Sequence, residues 1–143
     1  MKFSMSALAP LDQTALPAGI RSRFVENING LRMHALEAGF HSHSPADRRP
    51  CVLLLHGFPE LAYSWRKVML PLAQAGFHVV APDQRGYGRT TGWDADYDGE
   101  LASFRMLGCH LVDGAGHWVQ QEQPQEVSRR LLEFLAAAAE VSA

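Results

Sequence analysis

The chain has 143 residues, of which 47% are hydrophobic and 20% charged, and its formal net charge is −2. This length and balance are typical of one globular domain, and the small net charge argues against a nucleic acid or a membrane surface as a partner. No apolar run approaches the roughly 20 residues of a membrane span, and the first residues do not resemble a signal peptide.

The N-terminal third predicts an arm followed by a hairpin. Residues 1–20 contain two prolines and a glycine and have no clear hydrophobic period, which indicates a loose arm ahead of a single domain over residues 21–143. Residues 21–30 and 31–39 have the pattern of two strands. They meet at Asn29-Gly30, a dipeptide typical of a two-residue hairpin turn.

Three further strands alternate with helices in the rest of the chain. The strands are CVLLLH from Cys51, HVVAPD from His78 and CHLVD from Cys109. The first is an unbroken apolar run, as expected for a strand that is covered on both faces. A first helix is predicted over residues 64–75, with Ser64 as its cap and Gly76 as its end. A second helix is predicted after Asp98, and a third over residues 124–139.

This order of elements predicts an α/β fold. We expect a mostly parallel sheet of about five strands, with the N-terminal antiparallel hairpin and flanking helices. The helix after Asp98 spans only about 12 Å at about 1.5 Å per residue. A right-handed crossover of that length would place CHLVD beside CVLLLH.

Three loops leave the carboxyl ends of these strands, where open parallel sheets usually bind ligands. Their sequences are HGFPE from His56, DQRGYGRT from Asp83 and GAGHW from Gly114. The HGFPE loop is followed by the motif SWR, which begins at Ser64. In this order the motifs resemble the α/β-hydrolase fold, specifically the epoxide hydrolase and haloalkane dehalogenase branch. The resemblance covers roughly residues 21–137.

The resemblance implies an active site at these loops. The N–H of Phe58 would form half of an oxyanion hole, with Gly57 allowing the turn and a cis bond before Pro59. The Phe58 ring would border the substrate pocket, and Trp118 either borders the pocket or packs in the core. His117 would be the general base that activates water to hydrolyse an ester on an aspartate nucleophile.

Other parts of these motifs have structural roles in the family. His56 shapes the first turn, and Asp83 and Arg85 brace the loop after their strand.

The nucleophile that this family requires is missing from the sequence. It should lie on a sharp turn of the form G-x-D-x-G or G-x-S-x-G, but the only two glycines four positions apart are Gly88 and Gly92, with Thr90 between them. The nucleophile strand, the lid and the late acid of the family would all fall near residues 106–108. We therefore expect a truncated hydrolase core with no nucleophile.

No metal or cofactor is predicted. Asp94, Asp96 and Asp98 imitate the start of a calcium loop, but the twelfth position of that loop is Arg105 instead of glutamate. His41 and His43 have no further ligand nearby in the sequence, so a loop is the better interpretation.

Two functional hypotheses remain. The first is an epoxide-hydrolase-like enzyme acting on a small hydrophobic epoxide or ester, inactive as this chain because its nucleophile, lid and late acid are absent. The alternative is a non-catalytic remnant that forms a homodimer through an exposed sheet edge.

The two cysteines of the chain do not make a disulfide framework. Each opens an apolar run in which a thiol is expected to be buried. We therefore expect a reduced, cytoplasmic protein.

Overall fold

The computed structural model describes residues 8–40, 49–92 and 111–141. The strands are β1 (Ile20–Ile28), β2 (Leu31–Ala38), β3 (Cys51–Leu53) and β4 (His78–Pro82), and the helices are α1 (Arg66–Gln74), α2 (Val119–Glu122) and α3 (Pro124–Val141). Short 3-10 turns cover Gln13–Ala15 and Ala62–Trp65. Within these residues, no helix is long and apolar enough to span a membrane.

The described strands form one mixed sheet in the order β1-β2-β4-β3. The β1–β2 and β2–β4 pairs are antiparallel, and β3–β4 is parallel. The predicted hairpin is present: Asn29 and Gly30 have φ values of 50° and 77°, and a tight two-residue turn requires this left-handed backbone. The mixture of sheet and helices agrees with the predicted α/β class, although only one described strand pair is parallel.

Several predicted features lie outside the described residues. They are the histidines at 41 and 43, the imitation calcium loop at 94–105, the helix after Asp98, and Cys109. The described end of the proposed fifth strand, residues 111–113, is not in a strand. Within the described part of the chain, β3 therefore pairs with β4 alone.

The core lies between one face of the sheet and the helices. Val68, Met69 and Leu72 of α1 are fully buried against strand residues that include Leu36 and Val79. Burying side chains of this size stabilises a fold by about 1.5–3 kcal/mol each. Helix α3 packs against the same cluster through one stripe of apolar residues, namely Val127, Leu131, Leu132 and Leu135.

The prediction that CVLLLH is covered on both faces is wrong. Val52 and Leu54 are buried in the core, whereas Leu53 is 58% exposed, Leu55 is 42% exposed and Cys51 is exposed. The helices α1 and α3 pack against the cluster that contains Val52 and Leu54, so within the described part of the chain the other face of β3, which carries Leu53, is open. An unbroken apolar run cannot by itself distinguish these two environments.

The N-terminal arm is more ordered than its composition indicates. Asp12 caps the first 3-10 turn by accepting the Thr14 N–H at 2.8 Å, and Leu16 is buried in the core. The Leu11 N–H donates to Ser22 Oγ of β1 at 2.8 Å. These contacts hold residues 8–19 against the sheet.

The helix after the first loop begins differently from the prediction. Ser64 does not cap α1; it lies within the 3-10 turn, and its hydroxyl donates to the Leu61 carbonyl at 2.7 Å. The predicted end is confirmed, since α1 stops at Gln74 and Gly76 has φ 99°.

Candidate active site

The turn after β3 is anchored by a buried histidine. His56 is 5% exposed, and its Nδ1 lies 2.9 Å from the Gly57 carbonyl oxygen, to which it donates. Its Nε2 accepts the backbone N–H of Gln84 at 3.0 Å, and the Gln84 side-chain amide donates to the His56 carbonyl. His56 therefore joins the loops after β3 and β4, which agrees with the structural role expected for it.

Residues 57–59 form the turn in which the motif resemblance predicts an oxyanion hole. The Phe58–Pro59 bond is cis, and no described residue accepts a hydrogen bond from the Phe58 N–H. The Phe58 ring is 77% exposed. Gly57 has no positive φ, and a Cβ added there would meet nothing within 4 Å, so the turn does not require glycine for the steric reason we expected.

The loop before α2 presents His117 and Trp118. Both are exposed, and their rings meet edge to face with centroids 5.2 Å apart. The Glu122 carboxylate holds this loop by accepting the N–H groups of Gly116 at 2.6 Å and Trp118 at 3.2 Å. No described carboxylate binds the His117 imidazole, so the described residues provide no acid to orient it.

Two motifs that are distant in sequence are joined by side-chain hydrogen bonds. The buried Gln120 amide donates to both oxygens of Glu60, at 2.8 and 3.0 Å, and Ser64 Oγ donates to the same carboxylate at 3.1 Å. Beside this contact, Gln121 accepts from Arg66 at 3.0 Å and from Lys67 at 2.8 Å. The loop that carries His117 is thereby fixed against the segment that follows Phe58.

A cleft of about 210 Å³ lies between these segments. Its apolar lining includes Pro59, Leu61, Tyr63 and Trp118, and its polar lining includes Glu60, Ser64, Arg66 and Gln121. Two predicted site residues, Pro59 and Trp118, thus border one cavity. Phe58 and His117 lie next to them in the chain but are not part of its lining.

A family model described as the alpha/beta hydrolase fold matches residues 50–107. Epoxide hydrolase A of Mycobacterium tuberculosis is 58% identical over 90 residues, which are 62% of this chain and 26% of that protein. Epoxide hydrolase 3 of Siraitia grosvenorii is 50% identical over 86 residues, which are 60% of this chain and 22% of that protein. The chain is a relative of the epoxide hydrolases and carries part of the α/β-hydrolase fold.

Solved structures also align with part of the chain. Epoxide hydrolase I of potato (Solanum tuberosum) is 48% identical where it aligns, with a TM-score of 0.45, and the alignment covers 52% of this chain and 21% of the potato enzyme. The chain therefore spans about a fifth to a quarter of the length of these epoxide hydrolases.

In this α/β-hydrolase relative, Asp83 connects the segments around the site. Its Oδ1 accepts the Ala62 N–H at 2.9 Å, and its Oδ2 accepts the Arg89 N–H at 3.0 Å and lies 2.7 Å from His34 Nδ1. Burial raises the pKa of Asp83, but the hydrogen bonds from His34 and from the two backbone N–H groups outweigh it, so the pKa lies below its ordinary value. This agrees with the predicted bracing role of Asp83.

The loop after β4 needs glycine at one position because of Asp83. Gly88 has φ 53°, and a Cβ added there would lie 2.0 Å from Asp83 Oδ2. Thr90, the only residue in the nucleophile position of a G-x-x-x-G pattern, is 3% exposed, and its hydroxyl donates to the Asp83 carbonyl. Its contacts are those of a structural residue.

Sequence reasoning missed the network beneath Asp83. His34 is 1% exposed, and its Nε2 lies 2.7 Å from Ser22 Oγ. The order Ser22–His34–Asp83 is that of a hydrolytic triad, but Ser22 Oγ already accepts the Leu11 N–H, and the imidazole is enclosed. No local signal in the sequence could have paired residues on three separate strands and loops.

The described residues contain no group of three or more His, Cys, Asp or Glu side chains that could hold a metal ion. What they offer for catalysis is a backbone donor at Phe58 without a described acceptor, an exposed imidazole at His117, and a cleft of mixed polar and apolar lining between their segments.

Proposed function

We propose that this chain is an epoxide-hydrolase-like module that accepts a small hydrophobic epoxide or ester but does not turn it over. The observation that carries the proposal is the Gln120–Glu60 contact, which brings the oxyanion-turn segment and the histidine loop to one cleft. Cleft walls such as Leu61 and Trp118 suit an apolar substrate.

The parts present would support binding and polarisation. A substrate oxygen near the turn would accept the Phe58 N–H, which has no other described acceptor, as in an oxyanion hole. His117 is exposed and could accept a proton from water. Both roles come from the motif resemblance.

The missing step is the formation of the covalent intermediate. Opening an epoxide by nucleophilic catalysis requires a carboxylate oxygen that attacks a ring carbon while the ring oxygen gains a proton. The sequence has no G-x-D-x-G turn to present such a carboxylate, and Thr90 is buried in its place. Water activated by His117 alone would have to act without this intermediate.

Turnover of a reactive epoxide such as styrene oxide tests the proposal. We expect the purified chain to show no rate above the buffer background and His117→Ala to show the same rate. A wild-type rate well above background that is lost in His117→Ala would contradict the proposal, because it would require a complete catalytic set.

We also propose a cytoplasmic location. Cys51 is an exposed free thiol, and such a thiol is best preserved in a reducing compartment.

A second candidate function, self-association, is favoured by the open face of β3. Leu53 and Leu55 are exposed there, and β4 is the only described partner of β3. Edge strands with apolar side chains favour pairing with another chain. In this alternative the chain is a non-catalytic domain that forms a homodimer.

Sedimentation velocity over a range of concentrations tests self-association. We expect Leu53→Gln to shift the chain toward monomer, and Leu111→Gln, which changes another exposed leucine outside the strand, to leave the association unchanged. A wild-type chain that stays monomeric at high concentration would contradict this candidate.

A further inference from the structure

A second and larger cavity lies next to the candidate active site, and Arg66 lines both. It has a volume of about 470 Å³, within the range of about 300–1,000 Å³ typical of small-molecule sites. Its walls are apolar and come from three separate segments, namely Pro17 of the arm, Leu70 and Pro71 of α1, and Pro124 at the start of α3. We call this cavity the arm groove.

The charged residues of the arm groove are both cationic. Arg66 and Lys67 line it, and within the described residues neither forms an ion pair with an acid. Arg66 donates to the Tyr63 carbonyl and the Gln121 amide oxygen, and Lys67 donates to the Gln121 carbonyl. These acceptors are neutral, and the Arg66 guanidinium also lies over the Tyr63 ring, 4.3 Å from its centroid. Neither cation is therefore paired with a described carboxylate.

The position of these cations on α1 is electrostatically unfavourable. They are the first two residues of the helix, and no acidic residue occupies its first turn. Cations near a helix N-terminus oppose the helix dipole. Glu126, the acid in the first turn of α3, is already paired with Arg129 and Arg130. An anion in the groove would relieve this concentration of positive charge.

We propose that the arm groove binds a medium-chain carboxylate. The alkyl chain would lie against the prolines and Leu70, and the carboxylate would accept hydrogen bonds from Lys67 and Arg66. An apolar cavity with cations at one end matches a ligand that has an apolar body and an anionic head. Arg66 lines both this groove and the cleft of the candidate active site, so the two sites are neighbours.

Calorimetric titration of the full chain with decanoate, below the concentration at which it forms micelles, tests the proposal. We expect saturable binding with one site per chain, and about tenfold weaker binding of octanoate because two fewer methylenes are buried. Acetate, which lacks the chain, and decylamine, which carries the opposite charge, should not bind. Affinity for decanoate should fall as salt is raised.

A matched pair of variants separates the groove from general charge effects. Lys67→Gln should weaken decanoate binding about three- to tenfold, the effect of losing one charge-assisted contact, and Lys67→Arg should restore most of it. Arg85→Gln removes the same charge from the loop after β4, where the guanidinium donates to the Asn29 carbonyl, and should leave binding unchanged.

Two results would overturn the proposal: no saturable binding of decanoate, or equal losses in Lys67→Gln and Arg85→Gln. Because the titration does not depend on epoxide turnover, failure here and failure of the proposed function are distinguishable.

Discussion

The side-chain amide of Gln120 reaches both carboxylate oxygens of Glu60, at 2.8 and 3.0 Å, although 60 positions separate the two residues. Gln120 is 6% exposed and Glu60 is half-buried, so this hydrogen bond to a carboxylate is partly shielded from water. It joins the segment after Phe58 to the helix that follows His117, and these two segments border the cleft.

Gln120→Leu should therefore destabilise the fold by about 1–3 kcal/mol, because the Glu60 carboxylate loses its main donor. Gln125→Leu, at an exposed position, is the control and should change the stability by less than about 0.5 kcal/mol. Urea unfolding of both variants provides the measurement. Equal midpoints for the two would show that the contact contributes nothing.

Asp83→Asn should cost about 2–4 kcal/mol at pH 7, since the amide cannot replace a carboxylate that accepts from His34 and two backbone N–H groups. The effect depends on pH in a defined direction. Folding lowers the pKa of Asp83. The carboxylate of Asp83 therefore makes its full contribution to the free energy of unfolding above the unfolded pKa of about 3.9, and this contribution is lost as pH falls through the folded pKa.

The stability difference between wild type and Asp83→Asn should thus shrink as pH falls below about 4. Urea unfolding of both proteins at several pH values between neutral and acid measures it, and the comparison cancels the titration of other carboxylates. A difference that is constant with pH would contradict the assigned role of the charge.

Gly88→Ala and Gly86→Ala form a matched test of the loop after β4. Both glycines have positive φ, 53° and 81°, but an added Cβ would meet Asp83 at position 88 and nothing within 4 Å at position 86. We expect Gly86→Ala to cost about 1–2 kcal/mol from backbone strain alone. Gly88→Ala should cost clearly more, and a thermal melt in which it is the more stable variant would contradict the geometry.

Neighbouring leucines at the end of β3 should respond very differently to truncation. Leu54 is 5% exposed and Leu53 is 58% exposed. Leu54→Ala should lose about 2–5 kcal/mol, as expected for a core leucine, whereas Leu53→Ala should lose less than about 1 kcal/mol. Comparable losses in chemical denaturation would indicate that both faces of β3 are covered.

This contrast also shows what the sequence could predict. The hairpin at Asn29-Gly30, the Gly76 end of α1 and the α/β class follow from local chemistry and element order, and they were predicted correctly. The open face of β3 was not predicted, because burial depends on which helices pack against the sheet. The apolar run CVLLLH is compatible with a strand that is covered on one face or on both.

The predictions for the candidate site divide in the same way, between features set by local sequence and features set by the tertiary fold. Motif resemblance predicted the cis bond before Pro59, which is present, whereas the catalytic roles of Phe58 and His117 stay predictions. It could not predict the Gln120–Glu60 contact or the Ser22–His34–Asp83 chain, because these join side chains that only the tertiary fold brings together. The Ser64 cap was wrong for a related reason: a 3-10 turn begins before it, at Ala62.

The intact mass of the chain after exposure to excess styrene oxide tests the central claim, that this epoxide-hydrolase relative lacks a nucleophile. Cys51 is an exposed residue, but partial desolvation of its thiol, followed by the nearby Glu37 charge, raises the pKa of that thiol, so it should react slowly at neutral pH. A Cys51→Ser variant and hydroxylamine treatment separate a thioether from an ester. We predict no hydroxylamine-labile adduct; a single such adduct on an aspartate or glutamate would contradict the account.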